Sequence, residues 1–232
     1  ADILDCENHV VNFKVVISGG MVPVTYTWQR QRPAESSFTD IPPGAPGISY
    51  PSPGTLRVAN VGGNENPSLT RYRVVISDHG GSITSNAALL TVNEITDIIP
   101  SVAFPSKTLV ILCEGADFSY TITTSGSPPV AYQWKKYVSS GVWANVTDNG
   151  IISGSQSAVL TFTGATVAGS GEYKVNITFH ASGADCQVES AGRTRVLTIQ
   201  AVPKGPFITE PLPACSGMAP EPLLALPPEG GS

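Results

Sequence analysis

The side chains of this 232-residue sequence best suited to catalysis or metal binding are three histidines and four cysteines. The histidines, His9, His79 and His180, share no metal-ligand spacing with one another or with a cysteine pair. Asp78 precedes His79, but a chain of this size contains such acid–base neighbours by chance. We find neither a Gly-rich phosphate loop nor a nucleophile elbow. The sequence therefore predicts a protein that is not an enzyme and that uses no metal or cofactor.

The composition favours a fold of short strands and turns. The chain has 23 Gly and 20 Pro among many short β-branched runs, which favours strands over helices. Only 13% of its residues are charged and its net charge is −5, so it lacks the basic stripe that a nucleic-acid partner requires. We also find no apolar run long enough to span a membrane, and the charged start Ala1-Asp2 does not resemble a signal peptide.

An aromatic motif occurs twice in the chain. Its two copies are Tyr26, Trp28, Tyr72 and Val74, then Tyr132, Trp134, Tyr173 and Val175. This repetition indicates a tandem duplication. In an antiparallel sandwich, a large ring on a central strand fills the space between the sheets, and a facing Tyr tethers a corner through its hydroxyl. We therefore expect Trp28, Tyr72, Trp134 and Tyr173 in two separate cores.

Both halves resemble bacterial immunoglobulin-like repeats. The matching stretches are 25–29, 38–42, 56–58, 72–76 and 80–92 in the first half, and 113–115, 132–134, 160–162 and 171–175 in the second. The stretch 80–92 is similar to the closing strand of repeats in surface and secreted proteins of Bacteroidetes-type bacteria. The resemblance implies an all-β fold of two tandem immunoglobulin-like β-sandwiches. Val74 and Val175 stand where an antibody-type domain has a cysteine, so the cores must hold without that bridge.

The predicted domain boundaries follow from the duplication. Residues 1–93 form a first sandwich that lacks most of its first strand, and residues 101–200 form a second. Residues 94–100 read as a short linker that Pro100 stiffens. A calcium ion between the domains would need a third acid beside Glu94 and Asp97, so we interpret these two as solvated linker charges. Residues 201–232 are a Pro-rich extension that resembles the start of a third repeat.

The cysteines indicate disulfide chemistry, because an extracellular sandwich favours disulfides over free buried thiols. Cys6, Cys113 and Cys215 occupy the same place in successive repeats, and Cys186 lies in a loop before the last strand of the second unit. Cys113 and Cys186 are expected roughly 20 Å apart, at opposite ends of one sandwich, whereas bonded cysteines need Cα atoms within about 7 Å. We therefore favour an inter-domain Cys6–Cys186 bond over an intra-domain Cys113–Cys186 bond. The same logic pairs Cys113 with a following repeat.

Two classes of function remain. The first is an extracellular structural or adhesive module, part of a cell-surface rod or filament whose partners are copies of itself or neighbouring repeats. The second is a carbohydrate-binding or spacer module of a secreted enzyme, with a glycan or protein ligand near Trp143 and Tyr137. Fold alone does not choose between them. The lack of a convergent polar site in the sequence favours the first.

The two ends of the chain suggest how copies could associate. A sandwich short of its first strand leaves unpaired backbone groups along a sheet edge. The extension contains residues that resemble the missing piece: Phe207, Ile208, Thr209, Leu212 and Ala214. One hypothesis is that this tail of one molecule adds a strand to the first unit of the next. The alternative is that the sequence is a fragment of a long repeat protein, with an incomplete domain at each end.

The duplicated motif makes a stability prediction. Replacing Trp134 with alanine should unfold the second unit, because removing a buried indole costs about 3–5 kcal/mol. Thermal unfolding followed by circular dichroism measures the loss. Tryptophan emission typical of a water-exposed indole at residue 134 of the native protein would contradict the placement.

Overall fold

A computed structural model describes residues 1–20, 22–63, 65–101, 108–190 and 193–202 of the chain. Nearly all regular structure in these residues is β-strand, arranged as two sandwiches that follow one another along the sequence. The predicted fold class, two tandem immunoglobulin-like β-sandwiches, is confirmed. We refer to the sandwiches as unit one and unit two.

Unit one has two sheets. Its strands are β1 (Ile3–Cys6), β2 (Val10–Lys14), β3 (Thr25–Gln31), β4 (Thr39–Asp40), β5 (Ile48–Ser52), β6 (Thr55–Ala59), β7 (Thr70–Asp78), β8 (Gly81–Thr84) and the first half of β9 (Ala88–Pro100). One sheet has the order β1-β9-β7-β3-β4, with β8 also paired to β7, and the other has the order β2-β6-β5.

Unit two repeats this plan. Its strands are β10 (Leu109–Cys113), β11 (Phe118–Ser125), β12 (Pro129–Ser139), β13 (Val142–Asn145), β14 (Ile152–Ser153), β15 (Val159–Phe162), β16 (Gly171–Phe179), β17 (Cys186–Glu189) and β18 (Arg195–Gln200), with a 3-10 turn at Val167–Gly169. One sheet has the order β10-β18-β16-β12-β13, with β17 also on β16. The other is formed by β11, β15, β14 and the second half of β9.

The duplication is visible in the strand pairing. In unit one β1 runs parallel to β9, with Cys6 opposite Asn93. In unit two β10 runs parallel to β18, with Cys113 opposite Gln200. The two cysteines therefore end equivalent strands, as their spacing in the sequence suggests.

Alternating side chains build a separate core in each unit. Along β7 every second residue from Thr70 to Ile76 is buried, which is the period of a strand with one face on a core. The Phe13 and Tyr72 rings lie 4.7 Å apart in unit one, where Trp28 is 5% exposed. In unit two Trp134 is fully buried, and its indole N–H donates to the Ser157 carbonyl at 3.0 Å.

Residues 94–100, predicted as a linker, are instead the second half of β9 and pair with β11. Ile95 and Ile98 are both fully buried in the core of unit two. The segment is therefore the first strand of unit two, and it continues the last strand of unit one without a break.

The two equivalent tyrosines differ in their hydrogen bonding. The Tyr173 hydroxyl donates to the Gly169 carbonyl at 2.6 Å and tethers the 3-10 turn. The Tyr72 hydroxyl is buried without a hydrogen-bond partner, and burial raises the pKa of Tyr72 to about 12. Only unit two therefore has the tyrosine-tethered corner that the sequence predicts for both.

This difference predicts that the same substitution changes the free energy of unfolding by different amounts in the two units. Tyr173→Phe leaves the buried Gly169 carbonyl without a donor and should cost about 1–3 kcal/mol. Tyr72→Phe, the matched control, removes a buried hydroxyl that already lacks a partner, so its effect should be near zero or stabilising. Urea unfolding of each variant measures both values. Equal losses for the two variants would contradict the assignment.

Candidate functional site

Specific contacts between distant parts of the sequence occur where unit one meets unit two. We call this region the junction and define it as residues 4–7, 93–94, 126–127 and 180–186. Strand β9 runs through it. The pairing of β9 changes between adjacent residues, since Asn93 lies opposite Cys6 of β1 and Glu94 lies opposite Ser125 of β11. No unpaired residue separates the two units along this strand, so the backbone itself has no hinge there.

A disulfide between Cys6 and Cys186 closes one side of the junction. Cys6 ends β1 of unit one and Cys186 begins β17 of unit two, and their Cα atoms are 6.1 Å apart. Both side chains are buried, and Cys6 belongs to the hydrophobic core of unit two. This is the inter-domain pairing favoured by the sequence analysis. It arises because the loop before β17 reaches back over the end of unit one.

Two hydrogen bonds between Leu4 and Ser182 hold the same loop beside the disulfide. The Ser182 backbone N–H donates to the Leu4 carbonyl at 2.7 Å. The Leu4 N–H in turn donates to the Ser182 hydroxyl oxygen at 2.7 Å. Leu4 belongs to β1, so these reciprocal bonds join the first strand of unit one to a loop of unit two.

The side chain of Asn93 ties β9 to two loops of unit two. Its carbonyl oxygen accepts from the Ser127 backbone N–H at 2.7 Å and from the Ser127 hydroxyl at 3.1 Å. Its amide nitrogen donates to the His180 carbonyl at 2.8 Å. Asn93 is fully buried, so these bonds satisfy groups that water cannot reach. The adjacent Gly126 has φ +98°, and a Cβ there would come within 2.8 Å of the Asn93 Cα.

Charged groups line one edge of the junction. The Glu7 N–H donates to the Asn93 carbonyl at 3.0 Å, and a Glu7 carboxylate oxygen lies 3.7 Å from a guanidinium nitrogen of Arg193. Burial raises the pKa of Glu7 above its ordinary value; Arg193 opposes that rise and the charge of Glu94 adds to it. A carboxyl with a raised pKa favours the folded state in acid, so this contribution to stability is lost as the pH rises through the folded pKa.

The two acids considered for a calcium ion have protein partners instead. Glu94 accepts a hydrogen bond from the Ser125 hydroxyl at 2.8 Å. Asp97 forms an ion pair with Arg195 at 2.7 Å, and the Arg195 Nε also donates to the Ile98 carbonyl. In the described ranges, no three His, Cys, Asp or Glu side chains are arranged to hold a metal ion. The prediction that Glu94 and Asp97 are solvated linker charges is wrong, because the paired strand carries them against unit two.

Two of the three histidines form surface pairs with aspartates. His9 Nδ1 lies 2.8 Å from Asp5, and His180 Nδ1 lies 2.7 Å from Asp185. Both pairs are solvent-accessible, where such contacts contribute little to stability. Asp78 accepts from the backbone N–H of Gly80 in the loop that also contains His79.

The aromatic pair proposed for sugar binding does not form a flat platform. The Tyr137 and Trp143 rings meet edge to face, with an interplanar angle of 70°. The Lys174 amine lies 4.3 Å from the centre of the Trp143 ring and also forms an ion pair with Glu189 at 2.6 Å. One face of the indole is therefore covered by a cation that is itself held in place.

The remaining predicted residues divide into two groups. Cys113 ends β10 at the far end of unit two and is disulfide-bonded. The others lie outside the described residues: Cys215, Phe207, Ile208, Thr209, Leu212 and Ala214. Sequence reasoning missed Leu4, Asn93, Ser127 and Ser182. No local sequence pattern marks these four residues, because their roles depend on loops that meet only in the folded molecule.

Comparisons with known proteins return only distant similarities. No protein-family model matches the sequence, and a search of curated proteins finds no match. An I-band fragment of titin shares 18% identity over 86% of this chain and 63% of that chain, with a TM-score of 0.42. The N-terminal four Ig domains of Dscam1 isoform 4.44 share 18% identity over 87% of this chain and 53% of that chain, with a TM-score of 0.33.

This chain therefore spans less than two thirds of either structure. At this level of similarity neither structure assigns a function to it, and the resemblance to Bacteroidetes-type repeats stays a prediction. A search of the described residues for helices long and apolar enough to cross a membrane finds none.

The contacts of Asn93 make a prediction about the junction. Asn93→Ala should destabilise unit two by about 1–3 kcal/mol, because it removes a buried amide that bonds the Ser127 N–H and the His180 carbonyl. Amide hydrogen exchange at Ser127 should accelerate at the same time. Ser127→Ala is the matched control, since it keeps the backbone N–H bond to Asn93 and removes only the hydroxyl. A slow Ser127 amide in Asn93→Ala would contradict the role of Asn93.

Proposed function

We propose that the chain is a non-enzymatic extracellular structural or adhesive module that forms a stiff segment of a cell-surface rod or filament of immunoglobulin-like repeats. The observation that carries this proposal is the junction. Three kinds of contact act there together: a continuous paired strand, the Cys6–Cys186 disulfide, and buried hydrogen bonds to Asn93 and Leu4.

Stiffness follows from how these contacts are distributed. A flexible linker lets two domains reorient because its backbone makes few contacts. Here β9 is paired on both sides of the point where unit one ends, and the disulfide ties β1 to the loop before β17. Bending at the junction would therefore strain the pairing of β9 or the disulfide.

The state of the cysteines supports an extracellular location. Among the described residues no cysteine is free. Buried disulfides persist in oxidising compartments and are rare in reducing ones. A structural role for the Cys6–Cys186 bond also agrees with its burial, since reactive cysteines are usually partly exposed.

The alternative, a carbohydrate-binding or spacer module of a secreted enzyme, has weaker support. A sugar-binding site would need an exposed flat aromatic face, and Lys174 covers one face of Trp143. A spacer module would need the same stiff junction. It would differ from the proposed structural module only in being joined to an enzyme.

Stiffness can be measured in solution. Residual dipolar couplings of the backbone amides in units one and two should fit a single alignment tensor for the oxidised protein. The flexible control carries Cys6→Ser, Cys186→Ser and a Gly-Ser insertion between Asn93 and Glu94, and should give two tensors of different magnitude. Two such tensors in the unmodified protein would rule out a rigid rod segment.

A further inference from the structure

Along the side of unit one formed by β4 and β5, a single tyrosine bridges the two sheets. Tyr50 lies in β5, and its hydroxyl donates to the carbonyl of Ile41, the residue after β4, at 3.2 Å. Tyr50 is nevertheless 43% exposed. A hydrogen bond therefore holds this ring in place while much of its surface remains in contact with water.

Two neighbouring grooves share Tyr50 as part of their lining. Their volumes are about 470 Å³ and about 420 Å³, and both are also lined by Tyr26 and Trp28. Because the grooves have three aromatic residues in common, they form one continuous cleft. We call it the Tyr50 cleft and define it as residue 24 and residues 26–28, 40–43 and 50–55.

Unit two closes the corresponding side with its own main chain. Trp28 and Trp134 occupy equivalent register positions in their strand pairs. The Trp134 backbone N–H donates to the Ser155 carbonyl at 2.9 Å, and its indole N–H donates to the Ser157 carbonyl at 3.0 Å. Residues 154–157 therefore cover the Trp134 ring, which is fully buried.

A single position accounts for much of this difference. Strands β5 and β14 pair with the equivalent strands β6 and β15, and by this register Tyr50 corresponds to Gly154. Gly154 has φ +80°, and a Cβ there would clash with the Val159 carbonyl oxygen, so the closed loop excludes any side chain. The Tyr50 side chain instead extends between the sheets and leaves Trp28 in the lining of the cleft.

The indole N–H of Trp28 has no acceptor in unit one. Trp28 is only 5% exposed, yet no described residue accepts a hydrogen bond from its indole nitrogen. Pro53 stands at the position where unit two has Ser157, the acceptor for Trp134. A nearly buried donor without a partner is unfavourable, and a ligand oxygen atom would satisfy it. The cleft therefore presents one hydrogen-bond donor at its most buried aromatic residue.

The remaining polar groups of the cleft are a carboxylate and hydroxyls. Asp40 is exposed, and one of its carboxylate oxygens accepts from the Gln29 side chain at 2.7 Å. A carboxylate accepts several hydrogen bonds, so Asp40 keeps acceptor capacity toward a ligand. The Ser52 hydroxyl donates to the Thr55 hydroxyl at 2.9 Å on the other side of Tyr50. A ligand that fits these groups needs apolar faces and hydroxyls that both donate and accept.

We propose that the Tyr50 cleft binds a neutral oligosaccharide, with sugar rings stacked on Tyr50 and sugar oxygens bonded to the Trp28 indole N–H and the Asp40 carboxylate. A sugar ring has an apolar face of C–H groups that packs on an aromatic ring, and its hydroxyls both donate and accept. A chain of sugars reaches both grooves because Tyr50 lines both. An acidic sugar would bring a second negative charge to Asp40, which favours a neutral one.

A polyproline segment is another ligand that aromatic grooves recognise. Its prolines lack N–H groups, so it offers carbonyl acceptors but few donors. Such a segment accepts from the Trp28 indole N–H but does not donate to the Asp40 carboxylate. Sugar hydroxyls satisfy both groups, and this difference favours an oligosaccharide as the ligand.

The Tyr50 cleft shares no residue with the junction, so the proposal does not depend on a stiff rod. From the sequence, a glycan is expected near Trp143 and Tyr137 of unit two. The proposed site lies instead in unit one, where the aromatic residue is exposed and the nearby indole N–H lacks a partner. The site would give an adhesive module a ligand without using the junction.

The test follows the indole N–H signals of the three tryptophans by NMR in the full 232-residue chain. The probes are four neutral hexasaccharides: maltohexaose, cellohexaose, xylohexaose and mannohexaose. At least one of them should shift the Trp28 signal and leave the Trp134 and Trp143 signals in place. We expect a dissociation constant of about 1 mM or lower, so titration to about 10 mM reaches saturation.

Substitutions then locate the binding energy. Tyr50→Ala should weaken binding at least about tenfold, because it removes the ring on which the sugar stacks. Tyr137→Ala is the matched control, since Tyr137 is 37% exposed in unit two, and it should bind as the unmodified chain does. Asp40→Ala should also weaken binding about tenfold, and it decides the test if Tyr50→Ala fails to fold.

Several results would overturn the proposal. No shift of the Trp28 signal with any of the four sugars excludes the neutral oligosaccharide. If decaproline shifts that signal when the sugars do not, the cleft binds polyproline instead. Tighter binding of hexagalacturonate than of the neutral sugars contradicts the role of Asp40. A sugar whose binding is lost in Tyr137→Ala but kept in Tyr50→Ala binds unit two. None of these results changes the rod proposal, which the dipolar couplings test separately.

Discussion

Strand β9 belongs to two domains because it is long enough for its two halves to pair in different units. Its first half closes the sheet of unit one against β1 and β7, and its second half pairs with β11 at the start of unit two. Separating the units would therefore require unpairing main-chain groups, whose loss is costly in a buried setting. The disulfide, the Leu4–Ser182 bonds and the Asn93 contacts all lie around this strand and depend on its course.

The two units share a plan but differ in how it is completed. Unit two has Arg195 against its first strand and a tethered Tyr173 hydroxyl. In unit one, Ala88 occupies the place that Arg195 has in unit two, and the Tyr72 hydroxyl has no hydrogen-bond partner. Both differences lie beside the position that the second half of β9 fills in unit two.

The sequence predicted those features of the fold that depend on residue type and spacing, such as the duplication and the two cores. Trp28 and Trp134 identify the duplication because a large ring on a central strand has few alternatives to the core. The linker prediction failed because residues 94–100 do not show the alternation of a strand. Ile95 and Ile98 are both buried although three residues apart, since the register shifts between Thr123 and Thr124 of β11. The hydrogen bonds of Asn93 could not be predicted, because its partners come from loops that folding alone brings together.

The disulfide also changes the path that tension takes through the chain. Cys6 and Cys186 are separated by 180 residues in sequence, so most of unit one and most of unit two lie within the covalent loop that they close. A pull on the backbone before Cys6 and after Cys186 is carried across the sulfur atoms, so it does not stretch the strands that lie between these two residues. At up to about 3.6 Å per residue, the bond withholds roughly 600 Å of extension. A rod built this way would keep its length under load even when the domains within the loop unfold.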